Sequence, residues 1–348
     1  MKSRTKAIYT CSFILVVFAL LFSLYGYDKT WRLWNIPSMS PYFADLRVIT
    51  HGADSYSQGF DPLIENPGDP WTRRLNYPRV WQALYLFGID KSHTIYIGIA
   101  FIALFLVGVC LILPNASLIM ILLVMMAVLS PATLLGVERA NIDLLMFFLV
   151  SVSIVVAQRQ PLLSVLILFL GCVLKLFPVL GCPVLLRLNR STFLILVGGL
   201  ITLVVLYVVA TYSDILLIRK ETPQSIWLSF GLNVFWMKIN GLNALGGVIV
   251  KLCSYFVVLL ALWAAFSALL RNDFLSENQG DVVYLDAFRA GSTIYLGTFL
   301  LGNNWDYRLM FLIFTIPQLV VWANQSGQCR RIATISKIIL LMILLSLW

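Results

Sequence analysis

The sequence predicts an all-α polytopic membrane protein, and three features support this. Of its 348 residues, 60% are hydrophobic and only 12% charged, with a mean hydropathy of +0.89. A soluble domain of this length would carry far more charged surface. Apolar runs of roughly 20 residues, the length that crosses a hydrocarbon core, recur along the chain. Between them the Lys and Arg residues fall where alternate loops would be cytoplasmic.

The elements follow in order. Lys2, Arg4 and Lys6 precede an apolar run over 7–27. Its start mimics a secretory signal, but the run is long and Tyr25-Gly26-Tyr27-Asp28 is a poor cleavage site, so an uncleaved anchor is expected. A long polar stretch, 28–92, comes next. Spans are expected near 93–113, 117–135, 141–157, 193–213, 243–270, 284–301, 309–323 and 332–348. The run 161–187 is long enough for one tilted span, yet Lys175 and Pro178 sit near its middle. A lysine at mid-membrane is costly, and two short helices meeting at Lys175 on the outer side would avoid that cost. The hairpin also keeps Lys2, Arg4, Lys6, Arg159, Arg187, Arg190, Arg271, Arg330 and Arg331 in the cytoplasm. The expectation is one domain over 1–348, a bundle of about 11 transmembrane helices in the plasma (inner) membrane, with the N-terminus inside and the C-terminus outside.

The formal net charge of +9 then serves topology and contacts with anionic lipid or phosphate, not nucleic acid. Of the six cysteines, Cys11, Cys110, Cys172, Cys182 and Cys253 lie in apolar runs, and Cys329 sits beside Arg330-Arg331. No CxxC pair exists, so neither a disulfide framework nor a zinc site is supported. No internal or inverted repeat of the kind common in secondary transporters is evident.

On this topology the stretch 28–92 is the first extracytoplasmic loop. The segment Arg79–Ile89 is too short to span. Trp71, Tyr77, Trp81, Tyr85 and Phe87 mark an interfacial helix there. A second outer loop covers about 212–240. Five polar clusters then face one side: Asp45 with Arg47 and His51; Asp61 with Arg73-Arg74-Leu75-Asn76-Tyr77-Pro78; Glu138 to Asp143; Lys175; and Asn303 to Arg308. Ionisable residues at span ends inside a bundle are candidates for function. Each has a plainer explanation. Asp45 alone reads as a solvated loop acid. Glu138, Arg139 and Asp143 read as ion pairs in a tight loop. Lys175 reads as a snorkelling helix end, and Trp305 and Tyr307 as belt aromatics. His51 and His93, the only histidines, are more often structural than catalytic. The convergence of the clusters outweighs any one of them.

No Walker A, dinucleotide, HExxH, GxSxG or Asp-x-Asp motif is present, so neither a metal nor another cofactor is expected. An enzyme at the outer face would need a substrate that does not depend on cytosolic nucleotides. A polyprenyl-phosphate sugar fits: Arg or Lys for its phosphate, an apolar groove for its tail, and a carboxylate base for the acceptor hydroxyl.

The ordered set Phe43-x-Asp45-Leu46, Gly59-Phe60-Asp61-Pro62, Asn76-Tyr77-Pro78, Glu138-Arg139-Ala140-Asn141-Ile142-Asp143-Leu144-Leu145, Lys175-Leu176-Phe177-Pro178 and Asn304-Trp305-Asp306-Tyr307-Arg308 resembles the bacterial polyprenyl-phosphate-mannose-dependent alpha-mannosyltransferases, integral membrane glycosyltransferases of GT-C type. The likeness runs from about 40 to 310. It implies inverting transfer from a lipid-phosphate sugar without nucleotide and usually without metal, with Asp45 as the base. The chain departs from the pattern at Ala140, where relatives often carry glycine, and in a C-terminal part that is short for the superfamily. Around Asp45, substrate-binding roles are expected for Arg47, Asp61, Glu138, Arg139, Asn141, Lys175, Asn304, Asp306 and Arg308. Of these, Arg308, Lys175 or Arg139 would face the phosphate, and Glu138, Asn141 and Asp306 the sugar hydroxyls. The expected partners are a polyprenyl-phosphate sugar donor, a glycan or glycolipid acceptor, and membrane lipid. Two alternatives stay open. A lipid-linked polysaccharide polymerase would place its largest outer loop later in the chain. A lipid or glycan transporter would carry polar groups through the midplane, where Lys251, Asp286, Arg289 and Lys337 are the main exceptions to apolar spans.

Overall fold

The structure, a computed structural model, describes residues 2–241, 243–270, 281–325 and 330–348. Arg271 and Cys329 lie outside the described residues. Helix is nearly the only regular structure. In chain order, α1 is Lys2–Tyr25, α2 Tyr27–Leu33, α3 Ala44–Ser57, α4 Thr94–Leu111, α5 Leu118–Val128, α6 Pro131–Glu138, α7 Asp143–Val156 and α8 Pro161–Lys175. Then come α9 Arg190–Ala210, α10 Tyr212–Glu221, α11 Leu232–Asn240, α12 Ala244–Leu270, α13 Val282–Leu301, α14 Ile316–Ala323 and α15 Arg330–Leu347. Tighter 3₁₀ turns cover Arg79–Phe87, Phe177–Arg187 and Asp306–Thr315.

Among the described residues, Lys91–Leu111, Arg190–Ala210, Ala244–Ala261 and Asp306–Ala323 are long and apolar enough to cross a membrane. The pair α5 and α6 makes a fifth if it is one span bent by 55°. This establishes an all-helical protein with membrane-capable helices, and fewer uninterrupted spans than the apolar runs suggest. The chemistry of the breaks explains why. The Ser130 hydroxyl donates to the Ala127 carbonyl (2.7 Å), while its oxygen accepts from Thr133 N (3.3 Å). Pro131 stands in the first turn of α6, so one helix stops and another begins.

The run 161–187 forms the expected pair of short helices, which fold back on each other at Leu176. A Cβ placed at Gly171 would lie 2.9 Å from Pro178 Cβ, and one at Gly181 3.4 Å from Leu168, an antiparallel pairing. Arg79–Phe87 is helical as expected, though of 3₁₀ form. α3 is an additional helix within the first polar stretch.

The core is aromatic. Phe147 of α7 stacks on Phe314 at 4.2 Å, and Phe105 of α4 meets it edge-on at 4.9 Å. Such geometry adds about 0.5–1.5 kcal/mol per pair beyond area burial. The polar segments gather at one end. β1 (Ser229–Phe230) pairs antiparallel with β2 (Asn304–Trp305). Arg79 bridges Asp61 and Asp214, each at 3.0 Å, and Arg74 reaches Glu221 at 2.7 Å. These ties join 28–92 to 212–240. Buried Asp286 lies between Arg187 (3.0 Å) and Arg289 (3.3 Å). Arg187 closes the arm of the 161–187 hairpin that leads away from Lys175, and Asp286 lies at the end of α13 remote from β2. That cluster therefore sits at the opposite end.

Candidate functional site

The site begins with how α3 is docked. Phe43 takes a left-handed conformation (φ 62°), and its ring lies against α4, where a Cβ at Gly98 would come within 2.5 Å of it. No side chain caps α3. The carbonyl of Arg139 does so instead, accepting from Asp45 N (3.2 Å) and Leu46 N (3.4 Å). Asp45 therefore sits in the first turn, where the helix dipole favours a negative charge, and its backbone is tied to the turn between α6 and α7.

That turn carries Asn141. Its Oδ1 faces Lys175 Nζ (3.1 Å) and Asp143 N (2.9 Å), both of which only donate. The amide orientation follows: Nδ2 must turn to Asp45 Oδ2 at 2.5 Å, with Tyr77 Oη at 3.4 Å. Asp45 Oδ1 accepts no hydrogen bond among the described residues, and Asp45 is only partly buried. Beyond Asn141, fully buried Asp143 pairs with Lys175 at 2.6 Å and Arg308 at 3.1 Å. Arg308 stacks over Phe177 at 4.5 Å and donates to Asn304 Oδ1. Asn304 Nδ2 in turn donates to the Thr298 carbonyl at 2.5 Å. Lys175 lies between the rings of Tyr77 (5.1 Å) and Tyr307 (5.9 Å). Burial pushes the Tyr77 phenol well above its ordinary pKa, so it stays a neutral hydroxyl.

The structure thus joins Asp45, Asn141, Lys175, Arg308 and Asn304 into one polar string. The lysine and arginine share a single carboxylate, leaving net charge +1 beside Asp45. Asp143 and Tyr77 complete the string. The sequence placed both in motifs without giving either a site role. The clue to Asp143 was its position two residues after Asn141, which lets the Asn141 side chain reach the Asp143 N–H.

The other expected residues are arranged differently. Glu138 is fully buried, 3.2 Å from Arg139, and accepts from Met39 N at 2.9 Å. Arg139 also donates to the Pro37 carbonyl at 3.1 Å. Together they hold the segment after α2 against α6. Asp61 serves the link to Arg79 and Gln82. Arg47 donates to the Tyr42 carbonyl (2.7 Å) and contacts His51 Nε2 (3.2 Å). His51 Nδ1 faces the Gly68 carbonyl, so Nδ1 carries the proton and Nε2 accepts from Arg47. Burial holds the His51 pKa below its ordinary value, in keeping with a neutral ring. Arg47 therefore has only neutral acceptors and no carboxylate at ion-pair distance among the described residues. Asp306 stands apart, in the wall of a cleft.

The arrangement can accept a proton at Asp45 and supply positive charge nearby. Among the described residues, no group of three His, Cys, Asp or Glu side chains is placed to hold a metal. Comparison with models of known families, with curated proteins and with solved structures finds no match.

Proposed function

We propose that this chain is an integral membrane glycosyltransferase of GT-C architecture with about 11 spans. It moves a hexose, mannose on the resemblance above, from a polyprenyl-phosphate sugar to a glycan or glycolipid acceptor at the outer face of the plasma membrane. Asp45 carries the proposal: one oxygen is fixed by Asn141, the other is free, and a cluster of net positive charge stands behind it. The acceptor oxygen attacks the anomeric carbon and a C–O bond forms. The C–O bond to the phosphate breaks, and its electron pair leaves with the polyprenyl phosphate. Asp45 Oδ1 takes the hydroxyl proton. Charge building on the leaving phosphate needs preorganised cations. Arg47 has donors to spare, whereas Lys175 and Arg308 act through the single excess charge they share over Asp143.

The test is transfer by the purified full chain in nanodiscs, given synthetic polyprenyl-phosphate mannose and read as released polyprenyl phosphate. Asp45→Asn keeps the shape and removes the basicity. A positioned base contributes about 10²–10⁴ in rate, so transfer should fall at least roughly a hundredfold with donor binding retained. Near-normal transfer would remove Asp45 from the role and leave Glu138 or Asp61 as the next candidates. Orientation is tested separately. Ser57 and Thr222 are exposed and lie in the two stretches joined by Arg74 and Glu221. Cysteine at either position should react with an impermeant thiol reagent in intact spheroplasts; labelling only after lysis would invert the topology.

A further inference from the structure

Beside the polar string lies a cleft of about 720 Å³. Its walls come from the end of α1, the segment after α2, α6 and the end of α15, with Trp34, Pro37, Leu135, Leu228 and Trp348 among the lining residues. Trp348 is fixed by an indole N–H to the Met126 carbonyl at 3.1 Å, and Trp34 packs on Phe18 at 5.1 Å. Asp306 carries the one ionisable side chain among the described residues of this lining. Its N–H donates to the Leu228 carbonyl at 2.9 Å. Its carboxylate makes no hydrogen bond or ion pair among the described residues. A carboxylate left without partners in an apolar wall is unfavourable and is suited to a ligand that donates to it.

The cleft adjoins the site by two routes. The Pro37 carbonyl accepts from Arg139, whose own carbonyl accepts from Asp45 N–H. Tyr307, next in sequence to Asp306, faces Lys175.

We propose that this cleft binds the acceptor, as an uncharged glycolipid: its hydrocarbon chain lies along Trp34, Leu135 and Trp348, and its sugar hydroxyls donate to the Asp306 carboxylate. This rests on the glycosyltransferase proposal above. Charge selects the occupant. The Asp306 carboxylate repels a phosphate ester, whereas a hydroxyl forms a charge-assisted hydrogen bond to it. Among the described residues, no Lys or Arg lines the cleft. The cations that would suit the donor's phosphate, Arg47 and the pair on Asp143, lie elsewhere. The volume falls within the range of sites that enclose small ligands.

The experiment photolabels the full chain in phosphatidylcholine nanodiscs with two probes carrying a diazirine in the chain, an alkyl mannoside and farnesyl phosphate. Labelled peptides are located by mass spectrometry. The mannoside should label the peptides bearing Trp34, Leu135 and Trp348, and farnesyl phosphate should not. Asp306→Leu should cut mannoside labelling roughly tenfold or more, the usual effect of losing a hydrogen bond to a charged group. Asp306→Glu should restore it. Stronger labelling of those peptides by farnesyl phosphate, labelling indifferent to Asp306, or no labelling by either probe would each overturn the proposal. If Asp306→Leu fails to fold, the two probes on the unaltered chain still decide. Labelling requires no turnover, so Asp45→Asn should label normally. A chain that labels as stated but transfers no sugar would keep the glycolipid site and refute only the catalytic reading.

Discussion

The two ends of the molecule each bury one aspartate between two cations, and the comparison separates packing from function. At one end Asp286 pairs with Arg187 and with Arg289 of its own helix. Among the described residues, no other side chain pairs with the charged groups of that cluster. At the other end Asp143 pairs with Lys175 and Arg308, from the tip of the hairpin and from the turn after β2. There the cluster continues through Asn141 to Asp45, whose second oxygen is free. A buried ion triad by itself is what an apolar bundle needs in order to tolerate a charge, because desolvation of each ion is costly and only close partners offset it. A functional site is marked by the link from the triad to a group with unused chemistry.

The largest expected effect comes from breaking each triad. Removing one partner of a buried ion pair costs about 3–5 kcal/mol. Asp286→Ala and Asp143→Ala should both lower the melting temperature in detergent strongly, since each strands two cations. The milder Asp286→Asn and Asp143→Asn variants sharpen the contrast. Both should destabilise, but only Asp143→Asn should also reduce transfer per folded molecule, because Lys175 then loses the partner that holds it on Asn141. Equal transfer by the two Asn variants, corrected for folded fraction, would reduce the Asp143 triad to packing.

The contrast was only half legible in the sequence. Lys175 and Pro178 in the middle of an apolar run pointed to a hairpin, because a lysine at mid-membrane is costly, and the chain does fold back at Leu176. Asp45, Asn141, Lys175, Asn304 and Arg308 were legible as candidates because polar residues at the ends of apolar runs stand out. Which cation meets which acid was not, because those choices depend on crossings between distant elements. The sequence alone offers Arg308, Lys175 or Arg139 for a phosphate and does not reveal that the first two share Asp143. α3 was hidden by its composition, since a short amphipathic helix that packs on protein has no long apolar run. The break at Ser130-Pro131 was written in the residues, but hydropathy averaged over a window passes across it.

The smallest prediction concerns the turn that connects the Asp143 triad to Asp45. Ala140 holds a left-handed backbone, φ 44°, between Arg139, whose carbonyl caps α3, and Asn141. For a residue with a Cβ that conformation costs roughly 1–2 kcal/mol. Glycine removes the strain but adds about 0.4–1 kcal/mol of chain entropy in the unfolded state. Ala140→Gly should therefore leave stability unchanged or raise it by up to about 1.6 kcal/mol, with the melting temperature as the readout. Ala140→Val should lower it, because a β-branched side chain fits a positive φ worst. Were Ala140→Gly to destabilise by more than its entropy cost, the methyl group would be making a packing contribution at this fully buried position. The hold of Asn141 on Asp45 would then depend on that packing.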